Sequence, residues 1–403
     1  MKKNRKKYIL IIILLFISLT IGVLFINNTP IVSSVFYLVN KISMGIVETE
    51  DYKNGFIETS YKNYTILHNK DVEPALPIIF TYLDELELKS NDLLGFIPKE
   101  KVTIQIDYDK NVFNARNSIG ESINEAAGYY NPILRTIYIN SEDPYNDIIM
   151  NMSEIENLSD GSILKSKTSF KEVLFHEYAH YMFSSFISEN GIDESAIPIW
   201  FKEGIAEYIA CANKSTGKEL DFISLNNLKT NKDWIVSYNE SDNTDIYIES
   251  MYAIYKILNL CNENDFYNII IKCNKQSFDK SLKDVIGVSL DDFDNILRND
   301  FSNYNEMYDE VNSLVTDYTE IKIKCLEEYI KQNKNDIRAY QTLITYYENN
   351  RGFNETLNFL QELTEKYPNE SIFWRRLAIL YENNNMIDLA NECYLKEKNL
   401  IEK

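Results

Sequence analysis

Two histidines four residues apart are the side chains of this 403-residue chain best suited to metal chemistry. They lie in the segment His176-Glu177-Tyr178-Ala179-His180, and the chain contains only three histidines. Four residues turn an α-helix by about 400°, so both imidazoles would project from one face and can bind a single metal ion. Glu177 would then lie beside the open side of the metal, where a carboxylate can act as a general base.

The residues around this segment carry the signals of a helix. Ser169 and Glu172 have the spacing of a capping box, and apolar residues follow at helical intervals. Gly191 favours an end of the helix near Glu189. We therefore predict one helix that starts at the Ser169 cap and carries both histidines.

A further metal ligand must come from another residue type. Zinc in a hydrolase takes three protein ligands and keeps one position for water. No histidine follows His180, so the third ligand should be a carboxylate. Residues 199–212 predict a second helix in which Glu203 and Glu207 share a face, and spacing alone leaves the choice between them open. Gly204 would let the histidine helix approach closely.

The two helices together resemble the active-site helices of gluzincin zinc metallopeptidases. The H-E-x-x-H motif is followed by Trp200-Phe201-Lys202-Glu203-Gly204-Ile205-Ala206-Glu207-Tyr208. This W-x-x-E-G-x-A-E-Y segment looks like that of the bacterial peptidase-MA-like group. It is also similar to the W-x-x-E-G segment of zinc aminopeptidases and clostridial-type collagenases. The resemblance is clear over residues 170–210 and extends more weakly from about 60 to 300.

The resemblance implies a site for one Zn2+ ion. By this interpretation His176, His180 and Glu203 bind the metal, and Glu207 orients a ligand histidine, which we expect to be His176. Peptide bonds would be hydrolysed by zinc-activated water with Glu177 as the general base. The exopeptidase signature Gly-x-Met-Glu-Asn of the aminopeptidases is absent from the sequence, so we expect an endopeptidase.

Tyr247 is the candidate for stabilising the carbonyl oxygen during the reaction. In related gluzincins the hydrogen-bond donor is a tyrosine or a histidine, and no histidine is free for this role here. Residues 245–252 predict the start of a helix and match the Tyr-x-x-Ser pattern of the family, with Tyr247 as its tyrosine.

The elements that must position these helices precede them in the chain. Their boundaries follow from hydrophobic periodicity and turn residues: a helix over 74–94, a strand over 102–106, a strand-turn-strand over 127–140 and a long surface loop over 141–167. The expected fold class is α+β. It comprises a thermolysin-like gluzincin domain with a small mixed sheet over residues 60–305, followed by an all-α domain.

The first residues predict a membrane anchor with the amino terminus in the cytoplasm. Five basic residues within 1–7 precede an unbroken apolar run over 8–26, which is nearly long enough to span a bilayer. No small-x-small cleavage site directly follows, so we expect an uncleaved transmembrane anchor instead of a signal peptide. Residues 27–59 would connect this single-pass anchor to an extracytoplasmic catalytic domain.

The carboxy-terminal region predicts paired helices in repeats. Residues 335–368 and 369–403 look alike at a spacing of 34, which aligns Leu343 with Leu377. This is the tetratricopeptide period. Within a helical domain over 306–403, such repeats would either offer a surface to a protein partner or cap the catalytic domain.

The composition narrows the possible functions. A formal net charge of -20 argues against nucleic-acid binding, because a phosphate backbone needs a basic surface. Two functions remain. One is a membrane-anchored, extracytoplasmic zinc endopeptidase acting on a peptide or protein. The alternative is a catalytically silent, peptidase-like scaffold that binds protein partners through its carboxy-terminal repeats.

Overall fold

The structure is a computed structural model, and it describes most of the chain from residue 55 onward. The described residues are 55–117, 127–143, 145–150, 169–210, 222–240, 246–261, 265–300 and 319–402. The chain divides into two compact units, Met1–Val315 and Thr316–Lys403. The predicted basic tail, the apolar run and the connector up to residue 54 lie outside the described residues. Within the described ranges, no helix combines the length and apolar character needed to cross a bilayer.

A five-stranded mixed sheet forms one layer of the first unit. Its strands are β1 Ile57–Tyr61, β2 Tyr64–His68, β3 Val102–Asp107, β4 Gly128–Asn131 and β5 Thr136–Asn140. The spatial order is β1-β2-β3-β5-β4, with β2, β3 and β5 parallel and with β1 and β4 antiparallel to their neighbours. Strand β4 is therefore an edge strand. Strand β1 begins inside the predicted connector.

The helices of the first unit lie between and after these strands. In the described residues they are α1 Leu76–Leu94, α2 Lys110–Asn117, α3 Phe170–Glu189, α4 Ile199–Ala210, α5 Asn231–Glu240, α6 Ile246–Leu260, α7 Phe266–Lys272, α8 Phe278–Ile286 and α9 Leu290–Asp300. Helix α1 connects the parallel strands β2 and β3, as parallel neighbours require a crossover. The predicted helix over 74–94 and the three predicted strands are confirmed to within a few residues.

The core of this unit lies between the sheet and the helix that carries the histidines. Helix α3 packs on β4 and β5 and also contacts α1 and α4, while α4 packs on α6. Fully buried apolar side chains from both layers fill the interface: Ile66, Ile104, Ile137, Leu83, Leu174 and Tyr178. Each such side chain contributes about 1.5–3 kcal/mol by leaving water, which holds α3 against the sheet.

The predicted surface loop over 141–167 is wrong near its start. Tyr145–Met150 forms a short helical segment, and Ile148 and Ile149 within it are buried. The polar and acidic composition of this stretch hid an apolar pair that gains free energy by entering the core. The remainder of the predicted loop, from residue 151, lies outside the described residues.

The second unit is helical throughout its described residues. Its helices are α10 Thr319–Gln332, α11 Ile337–Asn350, α12 Phe353–Lys366, α13 Ser371–Asn383 and α14 Ile387–Ile401. The first helices of the two pairs begin at Ile337 and Ser371, and the second at Phe353 and Ile387, 34 residues apart in each case. Leu377 lies in the apolar core of these helices. Their tetratricopeptide identity stays a prediction.

Candidate metal centre

The start of the histidine helix α3 is held by the predicted capping box. Ser169 Oγ accepts a hydrogen bond from the Glu172 backbone N at 3.2 Å, and Glu172 Oε2 accepts one from the Ser169 backbone N at 2.8 Å. These bonds satisfy two backbone donors that a helix start otherwise leaves without partners. The helix then runs to Glu189.

The side of α3 that faces the sheet contacts the sheet and α1 through Tyr178, the residue that follows Glu177. Its hydroxyl lies 3.1 Å from the Tyr64 hydroxyl, which donates to Glu87 Oε1 at 3.0 Å. Tyr178 is fully buried. This contact fixes the rotation of α3, so the histidines on its other side face away from the sheet core.

Helix α4 brings its two carboxylates to the histidine face of α3, but Gly204 acts differently from the prediction. A Cβ at Gly204 would meet the Ser250 carbonyl oxygen at 2.4 Å and Ile254 Cγ1 at 2.8 Å. Both residues belong to α6. The expectation that Gly204 makes room for the histidine helix is therefore wrong, since the close approach is between α4 and α6.

His176, His180 and Glu203 bring three ligand atoms together. The two Nε2 atoms are 3.1 Å apart, and Glu203 Oε2 lies 3.5 Å from Nε2 of His176 and 3.6 Å from Nε2 of His180. A tetrahedral zinc ion with ordinary bond lengths separates its ligand atoms by about 3.3–3.5 Å. The three residues thus fit one zinc ion, and the described ranges contain no other such group of metal-binding side chains.

Glu207 contacts the opposite nitrogen of His176. Its Oε1 lies 3.1 Å from Nδ1, and its side chain is buried. A carboxylate only accepts hydrogen bonds at neutral pH, so His176 Nδ1 carries the proton and donates it. The lone pair of Nε2 is then directed to the position that Glu203 and His180 share.

The charges of the cluster stabilise one another. Burial alone would lower the pKa of His176, but its hydrogen bonds with Glu203 and Glu207 raise this pKa well above its usual value. Burial would raise the pKa of Glu203, but the charge of His180 and hydrogen bonds with both histidines hold it well below its usual range. A metal ion must displace imidazole protons, so metal affinity at this site falls as the pH falls.

Glu177 lies on the same helix and reaches the open edge of β4. Asn140 N donates to the Ala127 carbonyl at 2.9 Å, so the backbone groups of Gly128 and Tyr130, which alternate with Ala127, are directed away from β5. The Tyr130 backbone N–H donates to the Glu177 carboxylate. Burial raises the pKa of Glu177, and the charges of the two nearby histidines oppose this effect.

Strand β4 and helix α3 approach so closely because residue 128 is a glycine. A Cβ at Gly128 would lie 2.5 Å from Val173 Cγ1 and 3.1 Å from Glu177 Cγ. Real Cβ atoms do not make contacts as short as the first of these. The absent side chain therefore allows the edge strand to lie directly beside the candidate general base.

Tyr247 lies beside His176 and is held by a tryptophan. Its ring centroid is 6.4 Å from that of His176 and 5.0 Å from that of Trp234, with the Trp234 and Tyr247 rings edge to face. The Trp234 side chain also forms a hydrogen bond with Tyr247. The indole N–H can only donate, so the Tyr247 hydroxyl accepts it and keeps its own proton for another acceptor.

The Tyr247 hydroxyl is a neutral donor. Its burial and the nearby Glu203 carboxylate raise its pKa well above the usual value. At neutral pH it can therefore donate a hydrogen bond to an oxygen that gains negative charge near the metal position.

Replacing Trp234 by Phe should lower the turnover rate only through its effect on the orientation of Tyr247. Tyr247→Phe should lower kcat by about 10²–10³-fold, the usual effect of removing one oxyanion donor. Trp234→Phe should lower kcat less, by roughly tenfold, because the phenol remains but loses its fixed orientation. In the double variant, Trp234→Phe should cause no further loss. Steady-state kinetics of the wild type, the two single variants and the double variant test this coupling, with Trp374→Phe in the second unit as the control. Independent, multiplicative losses would contradict the coupling.

The third histidine, His68, is held by hydrogen bonds within the first unit. His68 is fully buried on β2, with Nδ1 2.7 Å from the Asn69 carbonyl and Nε2 2.9 Å from Thr59 Oγ1. A carbonyl only accepts, so Nδ1 donates to it.

The sequence interpretation missed two contributors to this site. Trp234 is one of only three tryptophans in the chain, and it lies four residues before Tyr238. This helical spacing of two aromatic residues was the signal available in the sequence. The Tyr130 backbone donor has no such signal, since any residue offers an N–H and only strand pairing shows where it points.

Comparison with known proteins gives two matches. Residues 166–304, about a third of the chain, match the model of a peptidase family, M9, described as collagenase. A protein of Bacillus subtilis (strain 168), described as the uncharacterized protein YhcO, is 28% identical over 145 residues. That alignment spans 35% of this chain and 44% of the relative, so the chain spans less than half the length of the curated relative it matches.

The family match covers both helices that carry the candidate ligands. The matched family consists of zinc-dependent metallopeptidases, and the His-His-Glu cluster can bind a metal. Residues 166–304 are thus similar to a zinc-dependent metallopeptidase family, and within them lies a His-His-Glu cluster that could bind a metal.

Proposed function

We propose that this protein is a gluzincin-type zinc endopeptidase with Glu177 as its general base. The observation that carries the proposal is the agreement between the three ligand separations of His176, His180 and Glu203 and the edges of a zinc tetrahedron. Two helices supply three ligands, which leaves one position of the tetrahedron for water, as catalytic zinc requires.

The proposed mechanism assigns a separate task to each neighbouring residue. Zinc held by the three ligands would lower the pKa of a water molecule and polarise the substrate carbonyl. Glu177 accepts the proton of the attacking water and delivers it to the leaving amine. Tyr247 donates a hydrogen bond from its hydroxyl to the carbonyl oxygen as negative charge develops there. Glu207 holds His176 in the tautomer with Nδ1 protonated.

The edge of β4 favours an extended peptide as the substrate. An edge strand offers backbone N–H and C=O groups to which an extended chain can add as a further strand. The outward-directed groups of Gly128 and the outward-directed carbonyl of Tyr130 lie beside Glu177, so a peptide paired there would bring a bond next to the general base. Pairing through the backbone suits an endopeptidase, because it does not need a chain terminus.

Zinc content and hydrolysis, measured together, test the proposed function. The full chain should contain close to one zinc per molecule and cleave a denatured protein within its sequence, because the cluster offers one tetrahedral site. Dialysis against a chelator should abolish cleavage, and zinc should restore it. A protein that binds zinc without Glu177-dependent cleavage would instead support the alternative of a silent scaffold.

We further propose that residues 8–26 anchor the protein in a membrane with the catalytic unit outside the cytoplasm. The support is the basic cluster before the apolar run. Protease added to intact cells should digest the chain beyond about residue 27, which immunoblotting of the carboxy-terminal region detects, with a cytoplasmic protein as the control. Complete protection of that region would show that the orientation is wrong.

A further inference from the structure

Helix α5 exposes more large apolar side chains than its length would suggest. Ile235, Val236 and Tyr238 on this helix are three of the eight exposed large hydrophobic residues in the described part of the first unit. Single exposed apolar residues are common, but adjacent ones beside a candidate functional site are typical of a binding surface.

One face of α5 connects two of these residues, Ile235 and Tyr238, to the candidate metal centre. Trp234 is buried and contacts Tyr247, and Tyr238, four residues later, lies 6.3 Å from Tyr247 at 86° between the rings. Tyr247 in turn contacts His176. Tyr238 is therefore only two ring contacts away from a metal ligand, while 41% of its surface remains exposed.

Ile235 extends the same face, whereas Val236 does not. Residues three apart on a helix are neighbours, so Ile235 and Tyr238 form an exposed apolar pair, and Ile235 is 45% exposed. Val236 points about 160° away from both Trp234 and Tyr238 at 100° per residue. It is exposed to a similar extent, 42%, and so provides a matched control on the same helix.

The occupant of this face follows from its position. An extended peptide advances by about 3.3–3.6 Å per residue. The Ile235–Tyr238 face lies two ring contacts beyond His176, so a substrate side chain that reaches this face belongs to a residue within about three positions of the scissile bond. The Ile235 and Tyr238 side chains present aliphatic carbon and an aromatic ring, which favour a large apolar partner.

We infer that the Ile235–Tyr238 face of α5 is a specificity subsite that binds a large apolar side chain of the substrate near the scissile bond. This inference rests on the proposed peptidase function. It names the substrate class as peptides with a residue such as Leu, Met or Phe at one position within about three residues of the cleaved bond.

The test is cleavage-site profiling of a proteome-derived peptide library with the full chain and its variants. The wild-type protein and Val236→Ala should both enrich large apolar residues at one position. Tyr238→Ala should lose this enrichment and lower kcat/KM for a matching peptide by roughly tenfold. Tyr238→Phe should retain the enrichment because it keeps the ring, and Ile235→Ala should weaken it.

The outcomes separate the subsite from the proposed function. Unchanged enrichment in Tyr238→Ala, or the same loss in Val236→Ala, would overturn the subsite while the peptidase function stands. If the wild-type protein gives no more cleavage products than Glu177→Gln, the proposed function fails, and the subsite fails with it.

Discussion

Glu177→Gln should abolish most hydrolysis while leaving fold and zinc content unchanged. The expected loss in kcat is about 10²–10⁴-fold, because glutamine cannot accept and return a proton. Glutamine keeps a side-chain oxygen that can accept the Tyr130 N–H, so the contact between α3 and β4 should remain. Steady-state hydrolysis of a denatured protein measures the loss of turnover, and metal analysis of the same sample measures the zinc content.

The matched control is Glu189→Gln on the same helix. Glu189 is exposed near the end of α3, far along the helix from the metal cluster, so its replacement should leave turnover unchanged. Wild-type turnover in Glu177→Gln would remove the proposed mechanism. Loss of zinc together with activity would instead show that Glu177 supports the metal site.

Glu203→Ala should empty the metal site, whereas Glu207→Ala should only weaken it. Glu203 Oε2 lies within 3.6 Å of both histidine Nε2 atoms, so its removal leaves two protein ligands. Glu207 reaches only Nδ1 of His176, so its removal frees the orientation of that ring and should weaken zinc affinity or activity by roughly 10–100-fold. Zinc stoichiometry and competition with a chelator measure these effects.

Glu194→Ala provides the control for this comparison. Glu194 is an exposed carboxylate that pairs with Lys202 at 2.8 Å, just before α4, so its loss should leave zinc binding intact. Full occupancy in Glu203→Ala with an empty site in Glu207→Ala would reverse the two assignments. Full occupancy in both variants would mean that other residues complete the site, and the gluzincin interpretation would have to be abandoned.

Local sequence was sufficient for the parts of the site that lie within single helices. The cap at Ser169, the shared face of His176 and His180, and the shared face of Glu203 and Glu207 all follow from helix geometry. The spacing of 34 likewise anticipated the starts of the paired helices in the second unit. These features depend on residues within a few turns of one another, where backbone geometry leaves few alternatives.

Tertiary structure decided everything that depends on how elements meet. Helical periodicity puts Glu203 and Glu207 on one face, but only the packing of α4 against α3 directs Glu203 to the two Nε2 atoms and Glu207 to Nδ1 of His176. The partner of Gly204 proved to be α6, because a missing side chain marks a close approach without naming the neighbour.

The same limit applies to the groups that come from distant parts of the chain. The Tyr130 N–H beside Glu177 joins elements far apart in sequence, and Trp234 beside Tyr247 joins two consecutive helices whose packing no local pattern specifies. Sequence determined which helices carry the chemistry and which atoms they offer. The relative placement of those helices and of the edge strand results from burial of apolar surface summed over the whole unit, which no single motif encodes.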